Sequence, residues 1–144
     1  MDLSLFDQFA DPYMQTPAGR SSFLAGILLG YLAQQQAAAG ASVDTAPLYK
    51  QINFGKMQRR DVQRHIARIP ELLRAYDVKY KFYFQQLASK TGELLLQAEN
   101  TELGIEGNFA FAVGFLNAAD YFWQIFGKTR EAASTDPKNC AAEN

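Results

Sequence analysis

One stretch of this chain limits its fold more than any other: Phe23-Leu24-Ala25-Gly26-Ile27-Leu28-Leu29-Gly30-Tyr31-Leu32-Ala33. Its large apolar residues, Phe23, Leu24, Ile27, Leu28, Tyr31 and Leu32, recur as pairs at i, i+1, i+4 and i+5, which makes one broad face on an α-helix. The stretch is about half the roughly 20 residues that a membrane span needs, and Gln34-Gln35-Gln36 follow it, so a transmembrane helix is excluded. Gly26 and Gly30 lie about one turn apart and leave a strip of bare backbone that a second helix can approach closely. Ser21 or Ser22 is placed to cap this helix.

Composition extends the helical reading to the whole chain. Of 144 residues, 21 are Ala, 15 Leu and 12 Gln, against only 4 Val and 6 Ile. Good helix formers dominate and β-branched residues are scarce, so the expected fold is an all-α, compact bundle of about five helices. Residues 1–19 form a leader, with a short helix through Leu3, Leu5, Phe6 and Phe9 that Asp11-Pro12 and Thr16-Pro17-Ala18-Gly19 break. Residues 20–127 form the bundle, and the polar residues 128–144 form a loose tail.

Within the bundle, the biased run Gln34 to Ser42 frays into a loop that Pro47 closes. Pro70 divides the next helical region into helices over 58–68 and 70–88, because proline fits a first turn but not a helix interior. Val78 to Phe84 begins with a strand-like alternation, but the longer helical spacing of Leu72, Leu73, Tyr76, Tyr80, Tyr83 and Leu87 outweighs it. Leu94, Leu95 and Leu96 belong to a short helix ending near Asn100. Asn108 caps a last long helix from Phe109 to Phe126, whose apolar residues cover more than one face. A helix that apolar is either central to the bundle or in contact with a partner.

Chemistry is hard to find. Cys140 is the only cysteine and His65 the only histidine, so an intrachain disulfide, a cysteine zinc site and a histidine metal centre are all excluded. No glycine-rich phosphate loop, metal-ligand cluster or paired acid–base motif occurs, and no catalysis and no cofactor are expected. Next to Ile66, His65 reads as a packing or surface histidine. Met1-Asp2-Leu3-Ser4 has no basic stretch ahead of an apolar one, so a signal peptide is not expected and the location is read as cytoplasmic.

Charge is where the sequence becomes specific. The net charge of −1 conceals ten basic and three acidic residues over 50–90 (+7), against four basic and twelve acidic elsewhere (−8). Lys56, Arg60, Arg64 and Arg68 step by four, a helical stripe of about 18 Å at ~1.5 Å per residue. Arg59 flanks it, Arg74, Lys79 and Lys81 follow, and Asp61 is the only carboxylate over 56–70. Unrelieved like charges one turn apart repel, and arginine is suited to bidentate phosphate contacts, so these eight residues are the candidate nucleic-acid-binding set. The competing reading is a solvated face, or arginines paired with carboxylates elsewhere in the fold. Tyr76, Tyr80, Phe82, Tyr83 and Phe84 similarly offer either a base-stacking platform or core.

Three stretches together resemble a known family: Phe23 to Leu32; Ile52-Asn53-Phe54-Gly55-Lys56-Met57 with the basic helix and Pro70-Glu71-Leu72-Leu73; and Phe109 to Asp120. Their order is similar to the C-terminal helical region of the large subunit of type I-B CRISPR Cascade complexes, a region that is also translated separately as a free small subunit. The resemblance covers residues 20–127, and the length and helical character fit the free form. Types I-D and I-C have comparable subunits. The Gln/Ala-rich run at 34–42 and the tail have no counterpart. The resemblance implies a non-catalytic subunit that stacks with copies of itself and bridges the Cascade large subunit and repeating backbone subunits. It also implies contact with DNA of the guide RNA–target R-loop, with no membrane. The alternative is a helical protein–protein scaffold without direct nucleic-acid contact.

Overall fold

Thr16 begins the helix that organises the fold. Its hydroxyl accepts the Gly19 N–H at 3.1 Å, and Pro17, which has no N–H to leave unpaired, occupies the first turn. The computed structural model describes residues 1–37, 40–98 and 101–127. The tail 128–144 with Cys140, the expected helix end at Asn100, and residues 38–39 of the Gln/Ala-rich run lie outside these.

Over the described residues the chain is all-α. Seven helices occur: α1 (Pro17–Gln36), α2 (Pro47–Gln51), α3 (Arg59–Ala67), α4 (Ile69–Ala75), α5 (Lys81–Gln97), α6 (Gly104–Leu116) and α7 (Ala118–Ile125). Short 3-10 turns span Ser4–Gln8, Pro12–Gln15 and Val43–Thr45. None of the described residues forms a strand.

Helix α1 runs through the centre. Every residue from Ser21 to Gly30 is buried, and α2, α3, α5, α6 and α7 all pack on it. The glycines of α1 do what their spacing suggested. A Cβ on Gly26 would overlap the Phe111 carbonyl oxygen, one on Gly30 the Phe115 carbonyl oxygen, and one on Gly114 of α6 the Phe23 carbonyl oxygen. Helices α1 and α6 therefore meet backbone to backbone, with glycines supplied from both sides.

Several helix boundaries differ from the sequence expectation, each for a tertiary reason. The expected break at Thr16–Gly19 is the start of α1. Ser21 and Ser22 lie inside the helix, where their hydroxyls donate back to the Ala18 carbonyl at 3.0 and 2.9 Å. Gln34 to Gln36 remain helical, and Gln36 accepts the Leu48 N–H at 3.0 Å. Pro47 opens α2 instead of closing a loop. The leading segment is 3-10 rather than α-helical, and it packs on the bundle: Leu5, Phe6 and Met14 are buried, and the Asp2 N–H donates to the Ile125 carbonyl at 2.6 Å.

The helix expected over 70–88 ends at Ala75, although Pro70 sits in the first turn of α4 as anticipated. The Gln35 carboxamide accepts the Lys79 N–H at 2.7 Å and donates to the Lys79 carbonyl at 3.3 Å, which removes that peptide segment from any helical ladder. Tyr80 then takes a left-handed conformation (φ 66°) and sets its ring edge-on to Trp123 at 4.7 Å. The strand-like alternation is thus a turn, and α5 continues through Leu94–Leu96 without interruption.

The long helix expected over Phe109–Phe126 is two. Its start moves back to Gly104, and it bends at Asn117 (φ −119°, ψ 28°), whose side chain donates to the Val113 carbonyl at 2.9 Å. The bend brings Phe122 to Tyr31 at 4.7 Å and to Phe84 at 5.1 Å, and the Phe126 ring stacks on Tyr83 at 4.3 Å. This aromatic cluster resolves the two readings of residues 76–84 residue by residue. Tyr80 and Phe84 are buried, Tyr83 is half-buried, and only Tyr76 and Phe82 are exposed.

Candidate nucleic-acid interface

The basic region is built around the N-terminus of α3. Gln58 and Asp61 form a capping box there, with the Gln58 N–H donating to Asp61 Oδ2 at 2.8 Å. The other carboxylate oxygen of Asp61 accepts from Arg64 Nη2 at 2.9 Å. The Gln58 N–H, with lesser contributions from Arg64, Arg60 and His65, holds the Asp61 carboxyl below its ordinary pKa. The one acidic residue among 56–70 is therefore a helix cap that also pairs with Arg64.

The eight candidate cations do not form a single helical ladder. Helix α3 begins at Arg59 and ends at Ala67, so the four-residue step on one helix holds only from Arg60 to Arg64. Both are exposed. Lys56 is exposed in the loop ahead of α3. Arg68 is half-buried at the C-cap and donates to Gln51 Oε1 at 2.9 Å. Arg74 is exposed in the last turn of α4, Lys79 is exposed in the following turn, and Lys81 is half-buried at the start of α5. Among the described residues, no hydrogen bond or salt bridge engages the side chains of Lys56, Arg60, Arg74, Lys79 or Lys81.

Arg59 differs from its neighbours. Its guanidinium turns inward and donates to the Leu95 carbonyl in the last turn of α5. With its oxygen facing Arg59, the Gln63 carboxamide accepts from both terminal guanidinium nitrogens at 3.2 and 3.3 Å. Arg59 thus ties α3 to α5.

Lys56 and Arg60 line an open groove of about 810 Å³ whose opposite wall is Thr101 to Ile105, at the start of α6. Asn108, expected as a cap, is instead buried in the second turn of α6, where it bonds the backbone of Met57 and so holds the Lys56 loop against α6. No signal in the sequence marked that pairing. His65 is buried, and its Nδ1 has no partner among the described residues. Burial first, then Arg64 and Arg68, lower its pKa, while Asp61 acts in the opposite sense.

Among the described residues, no group of three His, Cys, Asp or Glu side chains is arranged to hold a metal ion, and no helix is long and apolar enough to cross a membrane. What this surface can do chemically is present cations to an extended anion, with guanidinium groups suited to phosphate oxygens.

No curated protein and no solved structure matches the chain. A family model does: the C-terminal domain of CRISPR-associated protein TM1802 matches residues 3–129. The match takes in the packed leader, the glycine-mediated α1–α6 pair and the basic α3 region together, and on that span this protein belongs to the CRISPR-associated TM1802 C-terminal domain family.

Proposed function

We propose that this protein is the non-catalytic small subunit of a type I CRISPR interference complex, Cascade, acting in the cytoplasm in antiviral defence. In this reading it sits between the large subunit and the repeating backbone subunits, beside other copies of itself. Its cations hold the DNA backbone of the R-loop. Base pairing with the guide RNA reads sequence, and protein contacts to phosphates tip a nearly balanced strand exchange.

The observation that carries this reading is the exposed group Lys56, Arg60 and Arg64, whose one carboxylate within 56–70, Asp61, is engaged as a helix cap and by Arg64, with Glu102 on the far wall of the groove. A surface that merely has to stay solvated gains from balanced signs, and here the cations outnumber the carboxylates. Arg68, Arg74, Lys79 and Lys81 extend the positive charge along the α4 and α5 termini. Arg59 supports the surface from within.

The test is a triple reversal, Arg60→Glu, Arg64→Glu and Arg68→Glu, in the assembled complex. Target-DNA affinity is expected to fall, and the log–log salt slope to become shallower by about 0.7–0.9 for each phosphate that is no longer neutralised. Circular dichroism and thermal melting check that the fold survives. Unchanged affinity and slope in complexes that still assemble would remove the DNA role. Failed assembly, with normal DNA affinity in whatever complexes still form, would favour the scaffold reading, in which the basic surface meets an acidic protein.

A further inference from the structure

Helix α6 buries Asn108, Phe111 and Phe115 and turns a second apolar face outward. Ile105 is 90% exposed, Phe109 69% and Leu116 65%, with Ala112 and Val113 half-buried between them. Spacings of four, three and four from Ile105 through Phe109 and Ala112 to Leu116 place these residues on one side of the helix. A contiguous apolar stripe of that kind is costly to leave in water and marks a contact surface.

Beside the stripe lies an apolar groove of about 290 Å³, walled by Phe9, Phe23, Phe109, Ala110 and Val113. Asp11 and Glu106 stand among its lining residues, and no Lys or Arg does. The surrounding chain has the same sign: residues 1–16 and 101–127 contain six carboxylates and no Lys or Arg. Arg20, the basic residue next in sequence, donates to the Met14 carbonyl and Gln15 and lies over the Phe6 ring at 4.9 Å. Lys56 and Arg60 line the separate groove that also reaches Ile105. The two grooves flank the start of α6 with opposite charge.

We propose that the Phe109 groove docks a helical segment of a partner protein, which inserts a bulky apolar side chain between Phe9 and Phe109 and carries Lys or Arg on the edge facing Asp11 and Glu106. The apolar walls and the carboxylates reject a nucleic-acid backbone and match an apolar, basic helix laid along a groove. Two copies of this chain joined stripe to stripe would oppose like carboxylates, so the occupant is a different chain. This surface is distinct from the proposed DNA-binding one and does not depend on it.

The test uses the full chain and two synthetic helical peptides of about four turns, long enough to span the stripe. Both carry a leucine ridge, one with lysines and the other with glutamates along one edge. In fluorescence anisotropy titrations the lysine peptide is expected to bind saturably, more weakly as salt rises, and the glutamate peptide at least about tenfold more weakly. Phe109→Asp, at an exposed site, is expected to abolish binding with an unchanged circular dichroism spectrum. The double variant Asp11→Lys, Glu106→Lys is expected to invert the preference between the peptides. Equal binding of both peptides, or binding untouched by Phe109→Asp, would overturn the proposal. So would sedimentation showing the chain self-associating through Phe109, which would make the occupant a second copy.

Discussion

The carboxamide of Asn108 engages both backbone polar groups of Met57: its Oδ1 accepts the Met57 N–H at 3.0 Å, and its Nδ2 donates to the Met57 carbonyl at 3.0 Å. Nδ2 also donates to the Gly104 carbonyl at 2.8 Å. Both residues are buried, so water cannot replace either bond without local opening. Asn108→Leu is expected to leave two backbone groups unpaired and cost about 2–4 kcal/mol, read as a lower urea midpoint. A loss below about 0.5 kcal/mol would show that the pairing is dispensable.

The α1–α6 crossing makes a prediction in which helix propensity and packing oppose each other. Alanine is favoured over glycine within a helix by about 1 kcal/mol, yet Gly26→Ala and Gly114→Ala would each drive a methyl group into the facing backbone. Both are expected to destabilise the protein in thermal melts. Gly92→Ala in α5 is the control: nothing lies within 4 Å of its added Cβ, so it is expected to stabilise by about 0.4–1 kcal/mol. If all three variants behaved alike, the crossing would be looser than described.

Adjacent arginines are expected to separate stability from binding. Arg59 bonds the Leu95 carbonyl at the end of α5, whereas the Arg60 side chain is exposed. Arg59→Ala is expected to lower stability by about 1–3 kcal/mol while the folded fraction keeps its DNA affinity. Arg60→Ala should do the reverse, weakening DNA binding with little change in melting temperature. Matched effects of the two variants in both assays would contradict the assignment.

His65 gives the fold a pH dependence of definite sign. Burial, followed by Arg64 and Arg68, lowers its pKa below 6.5 in the folded chain, so as pH falls the unfolded chain takes up the proton first. The stabilisation from neutral His65 is fully present above about pH 6.5 and declines progressively as pH falls through the window below it. The urea midpoint is expected to drop on going from about pH 7.5 to pH 5.5, and His65→Gln should flatten the profile over that window. A midpoint that does not move across it would count against a buried neutral imidazole.

Much of this fold was legible in local sequence. The pairs Phe23/Leu24, Ile27/Leu28 and Tyr31/Leu32 identified the central helix, Gly26 and Gly30 identified its close contact, and Pro70 identified the start of α4. Lys56, Arg60 and Arg64 stood out because acidic residues are so sparse around them. What local pattern missed were the breaks at Tyr76–Tyr80 and Asn117. Neither contains a proline or glycine to signal it. Each is imposed by partners distant in sequence: Gln35 for the first, and the aromatic cluster of Tyr31, Phe84 and Phe122 that the second accompanies.

By itself, then, the sequence determined that the fold of the described residues is all-α, that α1 must be enclosed, and that positive charge gathers between residues 50 and 90. Those properties follow from residue type and spacing along one chain, which act over a few turns. Only the tertiary structure decided which arginine serves the fold and which faces solvent, where Asn108 bonds, and that α6 keeps an apolar stripe outside. A side chain's role there depends on what stands opposite it, and the facing residues come from elements 36 to 51 positions away, as Leu95 does for Arg59 and Met57 does for Asn108.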